Sequence, residues 1–92
     1  MALLSEEEIR EGLAGLPHWE RDGREIHRNF AFDSFASAIQ FVDRVAQLAN
    51  QADHHPDIDI RYDKVRLSLS THSAGGLTKR DMKLAAKIDE LR

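Results

Sequence analysis

Three of the chain's five histidines fall within residues 52–81, ADHHPDIDIRYDKVRLSLSTHSAGGLTKRD, and the chain has no cysteine. His54 and His55 are adjacent and followed by Pro56. His72 ends an alternating segment and stands just before Gly75-Gly76. Imidazole has an unperturbed pKa of about 6.5, so it donates or accepts a proton near neutral pH, and two or three in one pocket can divide the acid and base roles. Two other readings stay open. Three imidazoles can hold zinc with a position left free, although adjacent side chains on extended backbone diverge and no helical H-x-x-x-H is present. The plainest reading is that these are polar residues at the ends of strands and helices. Thiolate chemistry and disulfides are excluded by composition.

The neighbouring elements decide whether these histidines meet. Pro56 fixes its own φ and pushes His55 out of helical backbone. DIDIRYDKVRLSLSTH alternates apolar and polar residues, which predicts a hairpin. A turn at Asp63-Lys64 sets Tyr62 opposite Val65, Ile60 opposite Leu67 and Ile58 opposite Leu69. An unbroken ladder then brings position 55 opposite His72. In this reading Val65, Leu67, Leu69 and Thr71 line the apolar face, and Arg66, Ser68, Ser70 and His72 the polar one.

Upstream, SEEEIREGL carries a capping-box pattern, Ser5 with Glu8, and Ile9, Leu13 and Leu16 share one helical face, with Pro17 as the stop. HWERDGREIHRNFAF predicts a hairpin turning at Asp22-Gly23. DSFASAIQFVDRVAQLANQAD is the strongest helix, capped by Asp33 or Ser34. Phe35, Ala38, Ile39, Val42, Val45, Ala46 and Ala49 form its apolar stripe. LTKRDMKLAAKIDELR is a last helix with Thr78 and Asp81 as an N-terminal capping pair. Gly75-Gly76 reads first as a turn into this helix and second as backbone for an anion site at the helix start. The order αββαββα predicts an α+β fold, a four-stranded antiparallel sheet with three helices on one face. The other face is polar, and an exposed edge favours pairing with a second copy.

Ninety-two residues make one domain, and neither repeat nor linker interrupts them. A net charge of −3 argues against nucleic acid, which selects a basic surface. No apolar run is long enough to span a bilayer. MALLSEEEIR has no basic flank and turns acidic at once, unlike a signal peptide. A cytoplasmic location is the expectation.

The stretch DHHPDIDIRYDKVRLSLSTHSAGGLTKRDMKLAAKIDEL resembles the pterin-4a-carbinolamine dehydratase family, through His54-His55-Pro56, Tyr62, Lys64-Val65, Thr71-His72, Gly75-Gly76-Leu77-Thr78 and Asp81. Upstream, Trp19, Gly23-Arg24, Ile26, Phe30, Phe32 and Phe35 extend the resemblance over nearly the whole chain. It implies a homodimer or homotetramer. It also implies dehydration of 4a-hydroxytetrahydropterin to quinonoid dihydropterin, recycling the cofactor of aromatic amino acid hydroxylases, with no metal and no bound cofactor. His54, His55 and His72 are then the catalytic residues. Asp53, Pro56, Thr71, Ser73, Trp19 and Arg80 are expected to bind the pterin around them. Asp53 is the candidate to orient an imidazole, Asp81 is read mainly as a cap, and Trp19 serves either as core anchor or as aromatic wall. Two positions depart from the family pattern: Asn50 stands where a Glu is common, and Ile58 where a Trp is common. Two rival roles rest on the same resemblance, a dimerisation module for a transcription factor and a pterin-binding protein of molybdopterin metabolism.

Overall fold

Ser5 accepts from the Glu8 amide while the Glu8 carboxylate accepts from the Ser5 amide, and this reciprocal cap starts helix α1, Glu6–Ala14. The helix ends at Gly15, before Pro17 is reached. In this computed structural model, which describes residues 2–92, it is followed by β1 (Glu20–Asp22), β2 (Glu25–Ala31), α2 (Phe35–Ala52), β3 (Asp57–Arg61), β4 (Lys64–Leu69), a 3-10 turn over His72–Ala74, and α3 (Lys79–Asp89). The strands form one antiparallel sheet in the order β1-β2-β4-β3. The expected α+β architecture is therefore present, in the expected order.

Alternation in the central strands makes one face apolar. Ile26 and Phe30 of β2 and Val65, Leu67 and Leu69 of β4 are all buried, with Ile26 beside Leu69 and Phe30 beside Val65 across the ladder. Ile9 and Leu16, then Ala38, Phe41 and Val45 of α2, then Leu84, Ala85 and Ile88 of α3 cover that face. Each large side chain so enclosed contributes about 1.5–3 kcal/mol. Phe41 stacks between Phe30 and Phe32, with ring centroids 4.6 and 5.1 Å away. Trp19 belongs to this core too. It is 4% exposed, and its indole N–H donates to Asp89 at 2.9 Å, where the Arg28 guanidinium also binds at 2.6 Å.

The turns differ from the sequence reading. Asp22 pairs with Glu25, so the first hairpin closes through Gly23-Arg24, with Gly23 at φ +61°. In the second hairpin Arg61 pairs with Lys64, Ile60 with Val65 and Ile58 with Leu67. The closing residues are Tyr62-Asp63 rather than Asp63-Lys64, and the ladder is displaced by two residues. A displacement of two keeps every side chain on its predicted face, because the strand repeat is two. The cost falls on Tyr62, which is held at φ +54° and is 71% exposed. Left-handed backbone costs a bulky L-residue about 1–2 kcal/mol. Tyr62→Gly is therefore expected to raise stability by about 0.5–1 kcal/mol after the extra freedom of the unfolded glycine is offset. Urea unfolding of the two proteins checks this.

Strand β3 lies at the sheet edge, and all five of its residues are exposed. Ile58 and Ile60, though on the apolar side, keep 39% and 38% of their surface because the helices do not reach them.

Candidate active site

The site lies where α2, β4 and α3 converge. Asp53 ends α2 in left-handed backbone, φ 50° and ψ 44°, with its N–H bonded to the Ala49 and Asn50 carbonyls. That cap turns the chain sharply, so His54 and His55 leave the helix in different directions. His54 is buried, 8% exposed, and its Nε2 lies 2.6 Å from Oδ1 of Asp81. His55 is exposed, and its Nε2 lies 3.0 Å from Oδ1 of Asn50, one turn back on α2.

Asp81 is fully buried at the third position of α3. Its Oδ2 accepts from the Thr78 amide at 2.9 Å and from the Thr71 hydroxyl at 2.9 Å. The Thr71 proton is committed there, so Thr78 Oγ1 donates to Thr71 Oγ1 across 2.7 Å. One carboxylate thus caps α3, closes a buried hydroxyl pair and accepts from an imidazole. In the neutral imidazole, donation from Nε2 to this carboxylate leaves the lone pair on Nδ1. Among the described residues Nδ1 of His54 has no hydrogen-bond partner, and it is not fully enclosed.

His72 does not lie on the polar side of a strand, because β4 stops at Leu69. It opens the 3-10 turn instead, exposed, with no side-chain partner. Thr71 and Gly76 bridge the base of this turn, Gly75 adopts φ +79°, and the Gly75 and Gly76 amides both donate to the Thr71 carbonyl. These glycines close a tight turn, and their amides are occupied within it.

A cavity joins Asp53, His54, His55, Ser70, Thr71, His72, Ser73 and Arg80. The three histidines come together as expected, although the register that first suggested it is displaced by two. Asp53, Thr71, Ser73 and Arg80 line the same space. Pro56 is not among its walls and acts on the backbone. Trp19 is a core residue and not a wall. The orienting carboxylate is Asp81: the Asp53 side chain is exposed and makes no hydrogen bond, while its backbone carbonyl and that of Ala52 accept from Arg80. Ser70, whose hydroxyl donates to the Arg24 carbonyl, was missed as a wall. The Thr78/Asp81 capping pattern was the available signal for Asp81. Nothing in its spacing shows that its second oxygen faces an imidazole from another helix.

Among the described residues no group of three or more His, Asp or Glu is arranged to hold a metal ion, and no helix is long and apolar enough to cross a membrane.

The fold and the pocket together define a small α+β domain carrying a cluster of three histidines at one end of its sheet. The family model for pterin 4 alpha carbinolamine dehydratase matches residues 2–91, and the chain belongs to that family of hydro-lyases. A relative from Roseiflexus castenholzii is 60% identical over 90 residues, covering 98% of this chain and 97% of that one. A Nocardia farcinica relative is 58% identical, covering 97% and 94%. Both carry the name pterin-4-alpha-carbinolamine dehydratase provisionally. Among solved structures, a transcriptional coactivator/pterin dehydratase from Brucella melitensis superposes with a TM-score of 0.92 at 38% identity, over 98% of each chain. A pterin dehydratase-like protein identified as a RuBisCO assembly factor in the alpha-carboxysome gives 0.65 at 26% identity, over 79% of this chain and 84% of that one.

Proposed function

We propose that the protein dehydrates 4a-hydroxytetrahydropterin to quinonoid dihydropterin, recycling the pterin used by an aromatic amino acid hydroxylase. The observation that carries this reading is the Asp81-anchored His54 facing the unanchored His72 across one cavity. In the reaction the C4a–O bond breaks, the hydroxyl takes a proton and leaves as water, and a ring N–H gives its proton to a base. Neutral His54, with Nδ1 unpartnered, is the acceptor. His72 in its protonated form is the donor to the leaving hydroxyl. His55, held by Asn50, positions the ring. One proton is given and one taken, so the histidines need no outside reagent to reset beyond a transfer through solvent.

The route proposed uses neither metal nor bound cofactor. Its support is that two histidines of one cavity can supply both the proton donor and the proton acceptor that the reaction needs. A homodimer or homotetramer is part of the reading, supported by the exposed Ile58 and Ile60 on an unpaired edge strand. The location proposed is the cytoplasm.

The testing experiment is an assay of 4a-hydroxytetrahydropterin loss with purified protein and excess chelator. Acceleration over the spontaneous rate that survives the chelator is expected. Pterin binding without acceleration would replace the dehydratase by a binding role.

A further inference from the structure

A second groove, about 220 Å³, adjoins the histidine cavity and shares His54 and Arg80 with it. Its remaining walls are Ala52, Lys83, Leu84 and Lys87. No carboxylate lines it. Asp81, the nearest acid on the same helix, is buried and already bound to His54, Thr71 and Thr78. Arg80, Lys83 and Lys87 recur at helical spacing along α3 and so form one stripe, about 10 Å long at 1.5 Å rise per residue. None of the three belongs to a salt bridge among the described residues. In a chain with a net charge of −3, three cations on one helix face with no carboxylate in the groove form a local positive patch. Arg80 keeps its charge and its other guanidinium N–H groups while one nitrogen holds the end of α2.

We infer that the groove receives the pterin's side chain and that this side chain ends in a phosphate. The inference rests on the dehydratase reading above and names its substrate class. At about 220 Å³ the groove has room for a short polyol ending in a phosphate. Arginine and lysine are the side chains that bind phosphate through charge-assisted hydrogen bonds.

The test uses a matched pair of 4a-hydroxytetrahydropterins, one with a trihydroxypropyl side chain and one with the same chain as its terminal phosphate monoester. The phosphorylated member is expected to show a kcat/KM about tenfold higher at low salt, because two or three partly exposed charge pairs with the phosphate each add modestly to binding. That ratio should fall toward one in K83Q/K87Q and on raising the ionic strength. Both positions are exposed, so the variant folds. A ratio of one or less in the native protein overturns the inference and leaves the dehydratase reading standing. Dehydration of neither member overturns the reading instead. Equilibrium binding of the oxidised pair, read by pterin fluorescence, then decides the inference: tighter binding of the phosphate, lost in K83Q/K87Q, supports it, and equal affinities overturn it.

Discussion

Asp81→Ala is expected to destabilise the domain by about 3–5 kcal/mol, the usual consequence of removing one member of a buried polar pair. The carboxylate accepts from His54 Nε2, the Thr78 amide and the Thr71 hydroxyl. Its loss leaves these donors buried without their acceptor and removes the Asp81 half of the α3 capping box. That is a large share of the total stability of a small domain, so Asp81→Asn is the companion variant. It keeps the volume, but its NH2 must face one side of a network built entirely of donors. It should fold, with stability reduced by about 1–3 kcal/mol, and lose about 10- to 100-fold in kcat/KM because the His54 tautomer is no longer imposed. Denaturant unfolding and steady-state kinetics on both variants separate the two effects. An Asp81→Asn protein with native kcat/KM would show that the carboxylate serves only the helix.

The second large effect concerns the histidines proposed as proton donor and acceptor. His72→Ala is expected to lower kcat by about 10²- to 10⁴-fold, the range for a positioned general acid or base. His72 is exposed and unpartnered, so the unfolding free energy should stay within about 0.5 kcal/mol of the native value. His54→Ala should lose as much activity and also stability, since it strands Asp81. Full activity in His72→Ala would remove that residue from the mechanism. Unchanged stability in His54→Ala would contradict the burial of the pair.

Much of this architecture was legible because the signals were local. Ser5 with Glu8 and Thr78 with Asp81 announced two helix starts, and both capping boxes are present. The alternation of Val65, Leu67 and Leu69 identified the buried face of β4. What escaped depended on geometry that spacing does not encode. The second hairpin closes at Tyr62-Asp63, with tyrosine in a backbone conformation that favours glycine, so turn preference pointed one residue too far along the chain. The period of two hid this error, since faces survive a displacement of two. His72 follows the strand alternation in sequence, yet the Thr71–Gly76 bridge has already curled the chain into a 3-10 turn. Asp53, adjacent to the histidines, looked like their orienting acid, but the left-handed cap leaves its side chain exposed. The acid that performs this role is distant in sequence and arrives through the docking of α3. Trp19 was expected among the pterin-binding residues, as core anchor or as aromatic wall, and its burial and its N–H···Asp89 bond place it with the core.

The three imidazoles are tethered unequally: His54 to a buried carboxylate, His55 to an exposed amide, His72 to nothing. In motional terms this grades the site. An exposed, unpartnered side chain changes rotamer within picoseconds to nanoseconds, whereas a ring locked into a buried network moves only when that network opens. His72 is then the swinging member of the pocket, free to move aside while a flat ring enters or leaves, and His54 is its stationary reference. Ring-carbon NMR relaxation would read this directly as a low order parameter at His72 and a rigid one at His54.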